Sequence, residues 1–133
     1  MFAKSIVRTP GKSMDEGIST AGLGLPDYEL ALRQHASYIE ALKACGLDVT
    51  ILLADEAFPD YTFVEDVALL TKNCAIITNP GANSRRGEIA SMKEVLKGFY
   101  ENNEEIQEPG RVEAGDIMMV GDHFYIGLSE RTN

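Results

Sequence analysis

Two segments of the chain, 50 positions apart, share one pattern of acidic, apolar and turn residues. The first opens at Asp66 and the second at Asp116. Each continues with four apolar residues, turns through two or three polar or glycine residues, and then becomes apolar again. Two short apolar runs joined by a tight turn predict a β-hairpin, so we expect hairpins over residues 66–78 and 116–128.

The residues that follow the two predicted hairpins also match. Each hairpin is trailed by a serine and then an arginine, in Ser84-Arg85-Arg86 and in Ser129-Glu130-Arg131. A period near 50 residues is typical of a propeller or another repeat array, in which each unit buries its apolar face only against its neighbours. The alternative is a chance likeness between two short hairpins. The matching acids and arginines favour the repeat.

The rest of the chain predicts strands and helices around these hairpins. Ala3–Val7 and Asp48–Leu53 predict strands. Between them we expect a helix with Pro26 in its first turn and Gly46 at its end. Its buried stripe has three- and four-residue spacing and comprises Tyr28, Ala31, His35, Tyr38, Ile39 and Leu42. A second helix, after the first hairpin, would bury Ile89, Met92, Leu96 and Phe99. The chain is therefore expected to be α/β, with a single domain over residues 1–133.

Charge and thiol content limit the partners and the compartment. The chain has 12 Lys and Arg against 21 Asp and Glu, a formal net charge of −9. This balance disfavours binding to nucleic-acid phosphates or to an anionic membrane and suits a cationic ligand. Apolar runs are too short for a membrane-spanning helix. Two cysteines without a signal-peptide pattern are typical of reduced thiols, so we expect a cytoplasmic protein.

Two arginines follow Ser84, which the sequence predicts as the N-cap of the second helix. Arg85 and Arg86 would then oppose the helix dipole, at a cost of about 0.3–1 kcal/mol each. A broken local rule indicates a functional site, and Arg85 has a counterpart in Arg131. The structural alternative is that both side chains extend into water or pair with Glu88. We favour that alternative for Arg86, whereas both roles remain open for Arg85.

Acidic residues occur at the start of both predicted hairpins. Glu65 and Asp66 precede the first, Glu113 and Asp116 precede the second, and Asp60 lies upstream. Convergent carboxylates would bind a guanidinium or ammonium group, because a planar fork suits bidentate hydrogen bonds. The arginines in the same units would hold a carboxylate. Taken singly, each acid is an ordinary solvated strand edge, but their repetition predicts a small ligand resembling arginine.

The remaining candidates for chemistry favour structural roles. His35 lies on the apolar stripe of the first helix, and His123 lies at a hairpin turn. Cys45 ends a helix and Cys74 begins a strand, with no histidine beside either one in sequence. We therefore expect inert core thiols and neither a metal site nor another cofactor.

Longer motifs resemble the dimethylarginine dimethylaminohydrolase family of the bacterial type. They are Phe63-Val64-Glu65-Asp66-Val67, Asn79-Pro80-Gly81-Ala82-x-Ser84-Arg85-Arg86-Gly87-Glu88, Glu113-Ala114-Gly115-Asp116-Ile117-Met118-Met119-Val120-Gly121, Ser129-Glu130-Arg131-Thr132-Asn133 and Arg8-Thr9-Pro10. The resemblance runs through the whole chain. It implies the pentein fold of guanidino-modifying enzymes, a five-bladed α/β propeller. The chain corresponds to the N-terminal half of a family member, so the expected fold is a partial propeller.

The resemblance also implies roles at the guanidinium end of a substrate. Glu65 and Asp66 would bind the substrate, and Asp66 would face the guanidinium together with Glu113, the catalytic residue of the set. Family chemistry is attack of a thiolate on the guanidinium carbon, loss of methylamine or dimethylamine, and hydrolysis to citrulline. The nucleophilic cysteine and the proton-donating histidine belong to the family's C-terminal half. This chain alone is therefore expected to be inactive.

At the amino-acid end, the resemblance implies that Asp60 holds the α-amino group together with the backbone of Ile18. The family often has leucine at that position, a change that a backbone contact tolerates. Arg85 and Arg131 would hold the α-carboxylate.

Other functions remain open from the sequence. The chain could be a non-catalytic binder of arginine-like amino acids or one chain of a split enzyme. Within the enzyme class, arginine deiminase and citrulline hydrolysis are the neighbouring activities. The expected partner is a complementary C-terminal half or a second copy of the chain.

Overall fold

The structure is a computed structural model that describes residues 2–133. It divides into two compact units, Met1–Val64 (unit 1) and Glu65–Asn133 (unit 2). The predicted α/β class is confirmed, since both units combine strands with a helix. The expectation of one domain over the whole chain stays a prediction.

Unit 1 is a strand–helix–strand unit. The strands β1 (Lys4–Arg8) and β2 (Asp48–Leu52) pair in parallel, with Lys4 opposite Asp48. The helix α1 (Tyr28–Ala44) connects them, because parallel neighbours need a crossover. Both predicted strands are confirmed to within one residue.

The ends of α1 are set by side-chain capping and by a glycine. The Asp27 carboxylate accepts the Leu30 N–H at 2.9 Å, so Asp27 is the N-cap. Pro26 therefore precedes the cap. The prediction that Pro26 lies in the first turn of the helix was wrong. At the other end, Gly46 has a φ of +83°, a conformation that favours glycine, and the predicted stop is confirmed.

The predicted stripe of α1 is only partly buried. Ile39 is buried, whereas Tyr38 is 55% exposed, so the prediction was wrong for Tyr38. The other members of the stripe are half-buried: Tyr28, Ala31, His35 and Leu42.

Unit 2 contains both predicted hairpins. β3 (Ala68–Leu70) pairs antiparallel with β4 (Ala75–Ile77), and β6 (Ile117–Val120) pairs antiparallel with β7 (His123–Ile126). The turn between β6 and β7 has two residues and begins at Gly121, whose φ is +61°. The hairpins predicted from the repeat are thus confirmed, at somewhat shorter lengths.

A short 3₁₀ turn stands immediately before each hairpin. The first, Val64–Val67, includes Asp66, and the second, Ala114–Asp116, ends at Asp116. The two aspartates therefore hold equivalent places in the two repeats.

The segment between the hairpins differs from the prediction. A 3₁₀ turn, Asn83–Arg85, precedes the helix α2, which spans Glu88–Leu96 and begins after Gly87. The expectation that Arg85 and Arg86 lie in the first helical turn was wrong, because Arg85 ends the 3₁₀ turn and Arg86 lies between that turn and Gly87, the N-cap of α2. Glu88 occupies that turn instead, where a carboxylate suits the helix dipole.

The helix α2 leads into a strand that sequence reasoning missed. β5 (Asn103–Glu105) pairs in parallel with β4, giving the sheet order β3-β4-β5. Met92 and Leu96 of α2 are buried as predicted, in the core of unit 2 with Val67 and Ile77. Ile89 and Phe99, which were also expected to be buried, are only half-buried, and Phe99 follows the end of the helix. Neither α1 nor α2, the α-helices of the described residues, is long and apolar enough to cross a membrane.

Candidate functional site

Most of the predicted site residues of unit 2 form one group of interacting side chains. Direct ion pairs join Asp66 to Arg85, Arg85 to Glu88, and Glu113 to Arg131. The charges of Asp66 and Arg85 act on Glu65 and on Glu113. We call this group the acid–arginine cluster; its members are Glu65, Asp66, Arg85, Glu88, Glu113 and Arg131.

Arg85 lies at the centre of the cluster and is only 3% exposed. Its Nε and Nη2 donate to Oε1 and Oε2 of Glu88 at 3.0 and 2.8 Å, and its Nη1 pairs with Oδ2 of Asp66. Burial lowers the pKa of the guanidinium, but the hydrogen bonds and charges of Glu88 and Asp66 outweigh it and raise that pKa. The structural contact considered for Arg85 is therefore present, and its ligand-binding role stays a prediction.

Asp66 connects the two repeats. One of its oxygens pairs with Arg85, which follows the first hairpin, and Oδ1 accepts the N–H of Gly115 at 3.1 Å, just before the second hairpin. A Cβ at Gly115 would collide with Oδ1, so the glycine permits this approach. The Thr78 hydroxyl donates to the Asp66 carbonyl at 2.8 Å. The carboxylate of Asp66 is held from two sides.

Glu113 has a buried carboxylate whose two oxygens differ in their hydrogen bonding within residues 2–133. The residue is 2% exposed, and its Oε2 pairs with Nη1 of Arg131 at 3.0 Å. Its Oε1 has no hydrogen-bond partner within residues 2–133. Burial raises the pKa of Glu113, and the Asp66 charge adds to the rise, whereas Arg131, the Ala82 N–H and Arg85 lower it. A buried acceptor of this kind suits an N–H donor supplied by a cationic ligand.

Arg131 is the more open of the two arginines, with its side chain 49% exposed. Its backbone lies against Gly81, where a Cβ would come within 2.5 Å of the Arg131 Cα. The turn 79–82 and the arginine therefore fit together only because residue 81 has no side chain.

Asp116 lies beside the cluster, and its carboxylate accepts hydrogen bonds from two hydroxyl groups. Its Oδ2 accepts the hydroxyls of Thr132 at 2.5 Å and Ser129 at 2.8 Å. These two bonds lower the pKa of Asp116, Thr132 more than Ser129, while partial burial raises it and Arg131 lowers it further. Through these two bonds, Asp116 stabilises the turn that follows the second hairpin.

Glu65 adds a further carboxylate to the cluster. Desolvation raises its pKa, and the Asp66 charge adds to the rise, whereas its own backbone N–H and Arg85 lower it. Four carboxylates thus share two guanidinium groups. The excess of negative charge favours a cationic ligand.

In unit 1, the structure brings Asp60 and Ile18 together, and their binding of an α-amino group stays a prediction. The Ile18 N–H donates to both oxygens of the buried Asp60 carboxylate, at 3.0 and 3.2 Å. A Cβ at Gly17 would lie 2.8 Å from Oδ1, so this close approach also requires glycine. Because Ile18 makes the contact through its backbone, its exposed side chain is free to vary.

The histidines and cysteines are distributed largely as expected. His35 is half-buried, and desolvation lowers its pKa; His123 is exposed at the start of β7. Cys74 is half-buried, but Cys45 is exposed at the end of α1, so the expectation of a core thiol was wrong there. Within the described part of the chain, no three His, Cys, Asp or Glu residues are placed to hold a metal ion.

Sequence reasoning missed three groups that organise the cluster. Glu88 was considered only as a partner for the arginines, and its full burial was not expected. Its signal was the three-residue spacing from Arg85, which suits an ion pair. Gly115 and Thr132 act through an N–H and a hydroxyl, which leave no distinctive pattern. Arg86 pairs with Glu108 at 3.1 Å, which confirms a structural contact with a partner other than the predicted one.

Comparison with known proteins identifies relatives of this chain. A family model described as N,N dimethylarginine dimethylhydrolase, eukaryotic, matches residues 26–133. The N(G),N(G)-dimethylarginine dimethylaminohydrolase of Pseudomonas aeruginosa is 57% identical and that of Streptomyces coelicolor is 37% identical. The matches cover 100% and 98% of this chain, and 53% and 51% of those proteins. The chain therefore spans about half the length of these relatives.

The same relationship holds in three dimensions. A solved structure of the Pseudomonas aeruginosa enzyme, a mutant complexed with citrulline, matches with a TM-score of 0.97 at 56% identity. The match covers 100% of this chain and 53% of that one.

Proposed function

This chain belongs to the dimethylarginine dimethylaminohydrolase family, and we propose that it supplies the substrate-binding half of a hydrolase. The substrates are N-omega-methylated arginines, and the products are citrulline and methylamine or dimethylamine. No cofactor takes part in this proposal. The site of action is the cytoplasm, in keeping with the free thiols of Cys45 and Cys74.

The observation that carries this proposal is the buried carboxylate of Glu113, whose Oε1 has no hydrogen-bond partner within residues 2–133. A guanidinium presents N–H donors in a planar fork, and a buried carboxylate oxygen is a strong acceptor for one of them. Asp66 adds negative charge that acts on Glu113, and the charge of Asp66 also acts on Glu65. In the transition state, Glu113 would stabilise the charge of the guanidinium while Asp66 orients it.

The amino-acid end of the substrate is assigned to three side chains and one backbone group. Arg131, half exposed and tied to Glu113, would bind the α-carboxylate together with Arg85. In unit 1, Asp60 would accept the α-ammonium group beside the backbone of Ile18. These roles follow the matching residues of the family.

A chimaera tests the proposal. We would join this chain to the segment of the Pseudomonas aeruginosa relative that the match does not cover, about half of that protein. Citrulline release from dimethylarginine, monomethylarginine and arginine would then be compared. We expect turnover of the methylated substrates. Turnover of arginine alone would favour a deiminase, and ligand binding without turnover would favour a non-catalytic binder.

Within the chimaera, Asp66→Asn should lower kcat/KM about tenfold to a hundredfold, because it weakens a charge-assisted hydrogen bond of about 1.5–3 kcal/mol. The amide keeps the size of the side chain and removes its charge. Arg86→Ala is the matched control, since Arg86 pairs with Glu108 outside the cluster. Unchanged turnover in Asp66→Asn would count against the proposed site.

We also propose that the chain is part of a propeller, supported by the exposure of the second hairpin. Met118 faces Tyr125, and Met119 faces Phe124, on opposite faces of β6–β7. These four side chains are 40–58% exposed. Strands that are apolar on both faces are typical of a covered sheet. A complementary half or a second copy of the chain would supply the cover.

This exposure predicts that the isolated chain self-associates. The hairpin offers apolar faces and free strand edges, which template pairing with other chains. The double variant Met118→Lys, Tyr125→Lys should shift the chain towards the monomer in light scattering after size exclusion. The same change at exposed Leu23 and Leu25 of unit 1 is the control. A chain that stays monomeric at high concentration without substitution would contradict the prediction.

A further inference from the structure

The Thr132 hydroxyl joins the two ends of a short turn beside the cluster. Thr132 is 1% exposed, and its Oγ1 accepts the Glu113 N–H at 3.1 Å. The same hydroxyl donates to Oδ2 of Asp116 at 2.5 Å. Glu113 precedes the 3₁₀ turn Ala114–Asp116 and Asp116 ends it. A hydroxyl has a single proton to donate and can accept as well, and here it does both.

Thr132 also belongs to the turn that carries Arg131. The N–H groups of Arg131 and Thr132 donate to the Ser129 hydroxyl oxygen at 3.0 and 3.1 Å. The Ser129 hydroxyl donates in turn to Oδ2 of Asp116 at 2.8 Å, and its N–H donates to the Thr132 carbonyl at 3.0 Å. The backbone of Arg131 is therefore anchored to the same carboxylate that Thr132 contacts.

These hydrogen bonds connect the backbones of Glu113 and Arg131, whose side chains form an ion pair. Arg131 contacts Glu113 through its side chain, at 3.0 Å. Thr132, the next residue, contacts Glu113 through the backbone N–H. The Thr132 hydroxyl thus links the backbone of Glu113 to the residue that follows Arg131.

We propose that Thr132 is a positioning residue, whose hydroxyl sets the Glu113–Arg131 pair by fixing the Glu113 backbone and, through Asp116, the turn of Arg131. Its relevance to an arginine-like ligand rests on the function proposed above. Thr132 acts through Glu113 and Arg131 and is not assigned a contact with the substrate.

Thr132→Val separates this role from simple packing, because valine has nearly the same shape and lacks the hydroxyl. In NMR of the full 133-residue chain, we expect two changes. The pKa of Asp116 rises towards its ordinary value, since its main stabilising donor is lost. The Glu113 amide exchanges faster with solvent, since its acceptor is lost. Thr132→Ser should restore both readouts.

A second measurement connects the readouts to ligand binding. Titration with L-arginine should show affinity weakened about tenfold in Thr132→Val and close to normal in Thr132→Ser. If the unsubstituted chain binds no L-arginine, the proposed function loses its support. The Asp116 and Glu113 readouts then still decide the role of Thr132.

Two further variants control for stability and folding. Thr78→Val removes another buried hydroxyl, which donates to the Asp66 carbonyl, and should leave the Asp116 titration unchanged. Ser129→Ala should raise the pKa of Asp116 and leave the Glu113 amide protected, which provides a test if Thr132→Val does not fold. Unchanged Asp116 titration and Glu113 exchange in Thr132→Val would overturn the inference. So would loss of Glu113 protection in Ser129→Ala.

Discussion

Incubated with dimethylarginine, the isolated chain is expected to release no citrulline above a buffer blank. Cleavage of a guanidinium carbon–nitrogen bond by the family's chemistry requires a thiolate beside that carbon and an acid that protonates the departing amine. The acid–arginine cluster holds carboxylates and guanidinium groups. These groups can orient a cation and stabilise charge, but they do not replace the nucleophile. Binding groups without a nucleophile typically retain only a small remnant of catalysis.

The two thiols of this chain lie in structural settings. Cys45 caps the C-terminus of α1, and Cys74 lies at the end of the β3–β4 turn. The Cys74 sulfur lies 3.6 Å from the Thr71 hydroxyl, which also accepts the Cys74 N–H and donates to the Cys74 carbonyl. This arrangement fixes a turn, whereas a reactive thiolate is stabilised by a neighbouring positive charge.

The chimaera with the Pseudomonas aeruginosa segment is the positive control, assayed for citrulline under the same conditions. Mixing the chain with that segment as a separate polypeptide tests whether the two halves assemble. Citrulline formation by the chain alone that disappears in Cys74→Ser or Cys45→Ser would contradict both the motif assignment and the expected inactivity.

The elements that sequence reasoning located are those that carry their own local signal. The hairpins were located because apolar runs and turn residues alternate within each segment, and Gly46 was located as a helix stop because of its backbone freedom. β5 was not predicted, because Asn103–Glu105 is entirely polar and forms a strand only through its pairing with β4. The start of α2 was misjudged because Ser84 suits both an N-cap and a 3₁₀ turn.

The charged side chains of the candidate site could be predicted from the sequence, but the contacts that hold them in place could not. Asp66, Arg85 and Glu113 stood out because charged residues recur around a repeated pattern. Which acid pairs with which arginine depends on contacts across long sequence separations, such as Arg85 with Asp66 and Glu113 with Arg131. The N–H of Gly115 is available at almost any residue, so its role appears only in three dimensions.

Arg85→Ala is expected to destabilise unit 2 by about 3–5 kcal/mol, because it removes the guanidinium that neutralises the buried carboxylate of Glu88. Glu88 is 0% exposed, and both of its oxygens accept hydrogen bonds from the Arg85 guanidinium. Asp66 loses an ion pair in the same variant. Urea unfolding followed by circular dichroism measures the change as a lower midpoint.

Adding Glu88→Gln to Arg85→Ala should recover part of the stability, because the glutamine carries no charge to bury. Arg86→Ala removes the same charge one residue away. Its pair with Glu108 is solvent-exposed, so it should cost about 0–1 kcal/mol. An Arg85→Ala chain as stable as Arg86→Ala would contradict the structural role. If such a chain also lost affinity for L-citrulline, Arg85 would have the ligand-binding role that the family resemblance implies. The ion pair of Arg85 with Glu88 would then be dispensable for folding.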